Sequence, residues 1–296
     1  MRTEASPLTP AVREDYLERR YPSPILRDTR LWVGLVLLVA ILTVVSLGGW
    51  LAPDDPHALS GQPLEHPSGA HLLGTNDIGQ DLFSQVMRGG RVSLVVGFGA
   101  ATLSTAIAWA LGLLSGLGRR WSALVSGTAD LFLALPFLPV TILVVAHFGP
   151  SPAVIAITIG LISWPAFARV IRARVATELA AGYVEAARAI GAHPLTILTR
   201  HVFPATVSVA TAKFVLTVQS AIVIQASLAF LGLSDPATIS WGDTIHRGVG
   251  YGLIFASGAW RWWLMPPIVA IALLISAIAL IGWAIEERGE YGSRLP

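Results

Sequence analysis

The sequence predicts an all-α integral membrane protein with six transmembrane helices. Three observations carry that expectation. Apolar residues fill 54% of the 296 positions and charged residues only 13%, about half the charged share of a soluble domain. The apolar residues gather into six blocks, near 31–50, 92–116, 123–147, 153–170, 207–232 and 263–284. At about 1.5 Å per residue, about 20 residues cover the ~30 Å hydrocarbon layer, so each block reaches or approaches a span. Six spans sort the loops into two sets, and these hold sixteen and four of the twenty Arg and Lys residues.

Taken in order, residues 1–30 hold several acids and two close prolines but no apolar core. They are expected to form a cytoplasmic tail with no cleavable signal, and the first span, 31–50, to remain as an anchor. The outer loop 51–91 is rich in Pro and His at first and more ordered from Gly74, as a cover for the outer mouth would be. The second block carries Gly and other small residues that suit close helix packing, within the chain or against a second subunit. Pro136 and Pro139 predict a kink in the third block, because proline removes backbone donors. The fourth block is short, about 18 residues by the measure above, and contains Pro165. The fifth is the most polar. Polar groups in a bilayer face a cavity or another helix, so Gln219, Ser220 and Gln225 are candidates for lining a pathway or for bonding between helices. Lys213 and Asp130 are expected to snorkel toward the inner surface. The segment 233–262 mixes Gly, Trp and moderate hydrophobicity, which suits an interfacial or re-entrant piece rather than a seventh span. Residues 285–296 are expected as a second cytoplasmic tail.

The basic-rich set of loops holds Arg119, Arg120, Arg169, Arg172, Arg174, Arg188 and Arg200 with both termini. The opposite set holds only Arg88, Arg91, Arg247 and Arg261. That bias places both termini in the cytoplasm.

Several functions are disfavoured. A formal charge of +2 is too balanced for a nucleic-acid binder. Without cysteine there is no thiol nucleophile, thiolate metal site or disulfide. The only lysine, Lys213, follows Ala212 rather than a glycine-rich turn, so no phosphate-cradling loop is present. Neither a His-Glu-x-x-His helix nor a Gly-x-Ser-x-Gly elbow occurs. No catalytic residue and no metal ligand is therefore expected, and the seven scattered histidines suit surface or interface roles.

The inner loop 169–206 reads as helix, glycine, helix. Ala, Arg, Glu and Leu favour helix from Val175 to Ile190, and Gly191 suits a left-handed C-terminal cap. Pro194 suits the first turn of a second helix, which Pro204 is expected to end.

Within that loop, Glu185, Ala186, Ala187, Gly191, His201, Phe203 and Pro204 resemble the EAA signature of ABC-importer permeases. The segment GTNDIGQDLFSQVMRGGRVSLVVG, Gly74 to Gly97, and the segment ASLAFLGLSDPATISWGDTI, Ala226 to Ile245, are similar to stretches of the C-type permeases of dipeptide, oligopeptide and nickel importers. Asn76 stands where that branch has Asp, Gln80 and Gln85 where it has Arg, and Pro267 where it prefers Gly.

The resemblance implies the type I ABC-importer permease fold in residues 92–284, with 169–206 as coupling helices that seat on a separate ATPase. Glu185, Ala186, Ala187, Gly191, His201 and Pro204 are the implied docking residues. The implied partners are a B-type second permease, two nucleotide-binding ATPases that hold ATP and Mg, an extracytoplasmic binding protein and membrane lipid, in a prokaryotic inner membrane. No cofactor is implied for this chain. The implied cargo is a di- or oligopeptide, with nickel or another small solute as the alternative. An ion-coupled secondary transporter would need ion-binding acids near the midplane, which these spans scarcely offer. An intramembrane enzyme lacks its motifs, and a passive channel leaves the inner loop unexplained.

Overall fold

In the computed structural model, residues 28–52 and 55–292 are described, and they form a bundle of helices. Almost all of the expected N-terminal tail, residues 1–27, lies outside them, as do residues 293–296. The helices are α1 (Thr29–Leu51), α2 (Leu82–Leu114), α3 (Arg119–Ala134), α4 (Phe137–Phe148), α5 (Pro152–Leu179), α6 (Gly182–Ala189), α7 (Pro194–Ile197), α8 (Phe203–Phe230), α9 (Trp241–Gly250), α10 (Trp260–Trp263) and α11 (Met265–Gly292).

Caps set several starting points that hydropathy alone misplaces. Asp81 accepts from Ser84 N, and α2 therefore starts at Leu82, ten residues before the apolar block. The outer loop is correspondingly shorter than the expected 51–91. Ser151 caps α5 in the same way, with Pro152 in the first turn. That helix runs through Pro165 to Leu179, well past the expected end at residue 170. Its charges do not end it because α3 receives them: Arg169 pairs with Asp130, and Arg172 donates to Ser126 Oγ. Asp130 is thus an inter-helix partner. The last span begins at Trp260, and α11 continues to Gly292, into the expected C-terminal tail.

Among the described residues, five spans are long and apolar enough to cross a membrane unaided. The third block is not one kinked helix. It breaks at Leu135–Pro136 into α3 and α4, bent by 82°. The packing of the bundle says what this pair does. A side chain built on Gly160 of α5 would meet Leu103 of α2, and side chains built on Gly112 of α2 and on Gly116 in the turn that follows it would meet Ile171 and Val175 of α5. Residue numbers rise together on the two helices, so α2 and α5 run parallel. The chain between them must return across the bundle, and α3 with α4 makes that crossing. Helix α8 runs antiparallel to α2, with Gly97 beside Ile222 and Trp109 Nε1 donating to Thr206 Oγ1 at 2.9 Å. The glycines of the second block thus serve packing within this chain. Helix α11 runs antiparallel to α1: Gly34 approaches Ala277 and Ile281, while Val45 packs in a cluster with Leu274 and Ile278. With the α3–α4 pair counted as one, the described helices cross the bundle six times.

The opposite end carries an ordered cap. Trp241 Nε1 donates to Val86 O at 2.8 Å and seats α9 on α2. At ten residues α9 is too short to span, which agrees with the expectation for 233–262. The loop before α2 is built on polar contacts. His71 Nδ1 meets Asp81 Oδ1 at 3.0 Å, both buried. Asn76 Nδ2 and Gln85 Nε2 both donate to Gln80 Oε1, each at 2.9 Å, while Gln80 Nε2 donates to His57 O.

Candidate functional site

The element between α5 and α8 projects from the end of the bundle that carries Arg119 and Arg120. Its inner face is apolar. Val184, Ile197, Leu198 and Val202 are buried in one cluster with Ile171 and Val175 of α5 and Ala210 of α8, and Ala187 and Ala192 pack against it. Its outer face presents Glu185, Ala186, Ala189 and Ile190, the last 87% exposed. With Ala186 and Ala189 exposed beside it, Ile190 makes this outer face partly apolar.

The expected helix from Val175 to Ile190 is two helices. Helix α5 ends at Leu179, and the chain turns at Ala180–Ala181 before α6 begins. Gly191 does close α6. Its φ is +83°, Gly191 N donates to Arg188 O, and Ala192 N donates to Ala187 O at 3.0 Å. These two bonds form a complete Schellman cap. Glu185 in the first turn and Arg188 in the last both complement the helix dipole.

The expected stop at Pro204 is absent. Helix α7 passes through a π-turn, Leu198–Val202, directly into α8, and Pro204 sits in the first turn of α8. The reason is positional. Phe203 N reaches back to Leu198 O through the wide turn, so the proline enters where the ladder is already reset. The element is therefore rigidly continuous with the fifth span.

On the other side a chain of polar contacts ties it to α5. Arg174 Nη2 pairs with Glu178 Oε1 at 2.8 Å, and Tyr183 Oη donates to Glu178 Oε2. The Tyr183 ring lies 5.8 Å from that of His201. Partial burial, then the hydrogen bond and charge of Glu178, push the Tyr183 phenol up to about 12. It keeps its proton, and the bond, at any physiological pH.

The docking candidates separate accordingly. Glu185, Ala186 and Gly191 face outward, Ala187 faces the core, His201 is half-buried beside Tyr183, and Pro204 is exposed at the base of α8. Ile190, Tyr183 and Glu178 are additions that the sequence pattern did not single out. Of the pathway candidates, Ser220 lines a cleft between α5 and α8, together with Lys213. Gln219 is half-buried outside it, and Gln225 is 2% exposed inside the bundle, its Oε1 unpaired among the described residues.

Comparison with known proteins points the same way. Residues 108–285 match the family described as binding-protein-dependent transport system inner membrane component. A Brucella abortus protein named "Putative peptide transport system permease protein" is 33% identical over 268 residues, 89% of this chain and 88% of the relative. The di/tripeptide transport system permease protein DppC of Pseudomonas aeruginosa is 34% identical over 263 residues, 86% of this chain and 85% of the relative.

Proposed function

Because the chain belongs to the binding-protein-dependent transport system inner membrane components, we propose that it forms one half of the membrane pathway of an ATP-driven importer of short peptides. The observation that carries the mechanism is the rigid α6–α7 element, anchored by a buried apolar face and presenting Glu185, Ala186 and Ile190 outward. A cleft on an ATPase that receives Ile190 and pairs with Glu185 moves the element as a body. The Arg174–Glu178–Tyr183 contacts and the π-turn then pass that motion to α5 and α8 together.

In this reading the remaining parts are a second permease, two ATPase subunits that bind ATP and Mg, and an extracytoplasmic binding protein. The chain itself binds no nucleotide. The sixteen-to-four partition of Arg and Lys puts both ends and the α6–α7 element in the cytoplasm of a prokaryotic inner membrane. Peptide as cargo follows the names of the relatives and fits a path that need only pass small, polar solutes.

The test is reconstitution. The chain, co-expressed with a partner permease, ATPases and binding protein from the same organism, is purified as a complex and placed in liposomes. ATP-dependent uptake of a labelled di- or tripeptide is the expected result. Uptake that ignores ATP and collapses with an ionophore would identify a gradient-driven carrier instead.

A further inference from the structure

The cleft between α5 and α8 holds about 320 Å³ and is lined by Ser163, Ala166, Phe167 and Val170 on one wall and by Lys213, Leu216, Thr217 and Ser220 on the other. On each helix the lining residues recur at three- and four-residue spacing, so each wall is one continuous face. It opens to the surface of the chain, where Ala166, Val170 and Ser220 are exposed. We propose that this cleft is a cargo-binding station at the inner end of the membrane pathway, in which Lys213 receives a carboxylate of the passing peptide. The inference rests on the importer reading above.

Three observations converge on it. The first is the charge. Lys213 is the only lysine of 296 residues and the only charged residue among those lining the cleft. An ammonium has three N–H donors, so a contact within the chain leaves capacity for a ligand carboxylate. The second is depth. Val170 lies nine residues before the end of α5, and Lys213 eleven after the π-turn. At about 1.5 Å per residue the cleft begins ~14–16 Å from the α6–α7 element and level with Arg169 and Arg172, so it sits at the inner end of the spanning stretch, where the pathway of an importer empties.

The third is mechanical. The two walls are the two helices that α6–α7 joins, through the π-turn to α8 and through Glu178 to α5. A tilt of that element that carries one helix further than the other changes the spacing of the walls. A station for cargo and the lever that empties it thus share one pair of helices. The volume suits the end of a short peptide, and the apolar Phe167, Val170 and Leu216 leave Lys213 as the charged anchor.

The experiment compares one peptide in two forms, with a free C-terminal carboxylate and with a C-terminal amide, in the reconstituted complex with its own binding protein. For each form, import by Lys213→Gln is divided by import by the unmodified complex, so the binding protein's preference cancels. The expected result is an about tenfold loss for the free acid and little change for the amide, with Lys213→Arg close to the unmodified chain for both. Equal losses for acid and amide, or no loss for either, overturn the proposal while leaving the importer reading intact. An unmodified complex that imports neither form overturns both. Co-purification of the ATPases checks assembly. If Lys213→Gln assembles poorly, Ala166→Leu, which keeps the charge and narrows the cleft, is expected to slow both forms, and unimpaired import by it overturns the proposal.

Discussion

At the scale of single residues, Gly191 is a position where backbone conformation alone carries the consequence. Its φ of +83° is one that L side chains rarely adopt, and a Cβ there would meet nothing within 4 Å. A substitution therefore strains the chain without a clash. Gly191→Val is expected to cost ~1–2 kcal/mol of local stability, concentrated in the Schellman cap. Gly191→Asn costs less, because Asn visits the left-handed region more readily. Stimulation of the complex's ATPase by loaded binding protein should fall in the valine variant and persist in the asparagine variant, with both chains reaching the membrane. Equal stimulation in the two variants would show that the cap does not govern coupling. The glycine was legible in the sequence because a helix-favouring run ending in Gly has few other uses. Ile190 was not. Its hydropathy suggests a core position, yet it is 87% exposed, and only the contacts of Val184, Ile197 and Val202 with α5 and α8 decide which face of a two-turn helix looks outward.

At the scale of elements, the outer cap shows why three departures from the family pattern occur together. Asn76, Gln80 and Gln85, which replace an acid and two arginines, are all buried, at 2%, 6% and 1% exposure, and form one chain of hydrogen bonds. Its polarity is set: Gln80 Oε1 accepts from Asn76 Nδ2 on one side and from Gln85 Nε2 on the other, while Gln80 Nε2 is occupied by His57 O. All three members of the cluster are neutral amides, so none is left ionised and unpaired. Asn76→Asp alone sets a carboxylate oxygen against Gln80 Oε1, and Gln80 cannot flip without losing both other bonds. A loss of ~1–3 kcal/mol is expected, read as a lower melting temperature of the purified complex. Adding Gln80→Arg should recover much of it by supplying the missing cation. A double variant as unstable as the single would show that the amides are not acting as a replaced charge cluster. The three departures were visible in the sequence, but their contact was not, because a cap built from turns has no periodicity to place Gln80 beside Gln85 and His57.

For the whole molecule, apolar block length foretold five of the crossings well, since a helix long enough for the bilayer has few alternatives. The third block foretold only a kink. Two prolines reveal where helical hydrogen bonding fails, whereas the 82° angle depends on what each half packs against, α3 through Asp130 and Ser126 onto α5, and α4 onto the outer part of α5. The difference matters for topology. If α3 and α4 formed a re-entrant loop, α5 would have to start on the side where α2 ends and run antiparallel to it. The parallel contacts of Leu103 with Gly160 and of Gly112 with Ile171 exclude that arrangement. The absence of native cysteine permits a direct check. His147 is exposed at the end of α4, Ala70 is exposed in the outer cap, and Ala189 is exposed on α6. In intact spheroplasts, a membrane-impermeant maleimide is expected to label Ala70→Cys and His147→Cys but to reach Ala189→Cys only after permeabilisation. Labelling of Ala189→Cys in intact spheroplasts, with His147→Cys reached only after permeabilisation, would return α3 and α4 to one side and remove the sixth crossing. It would also separate the two chain ends across the membrane, so this one residue reports on whether the α6–α7 element and both termini share a compartment with the ATPase.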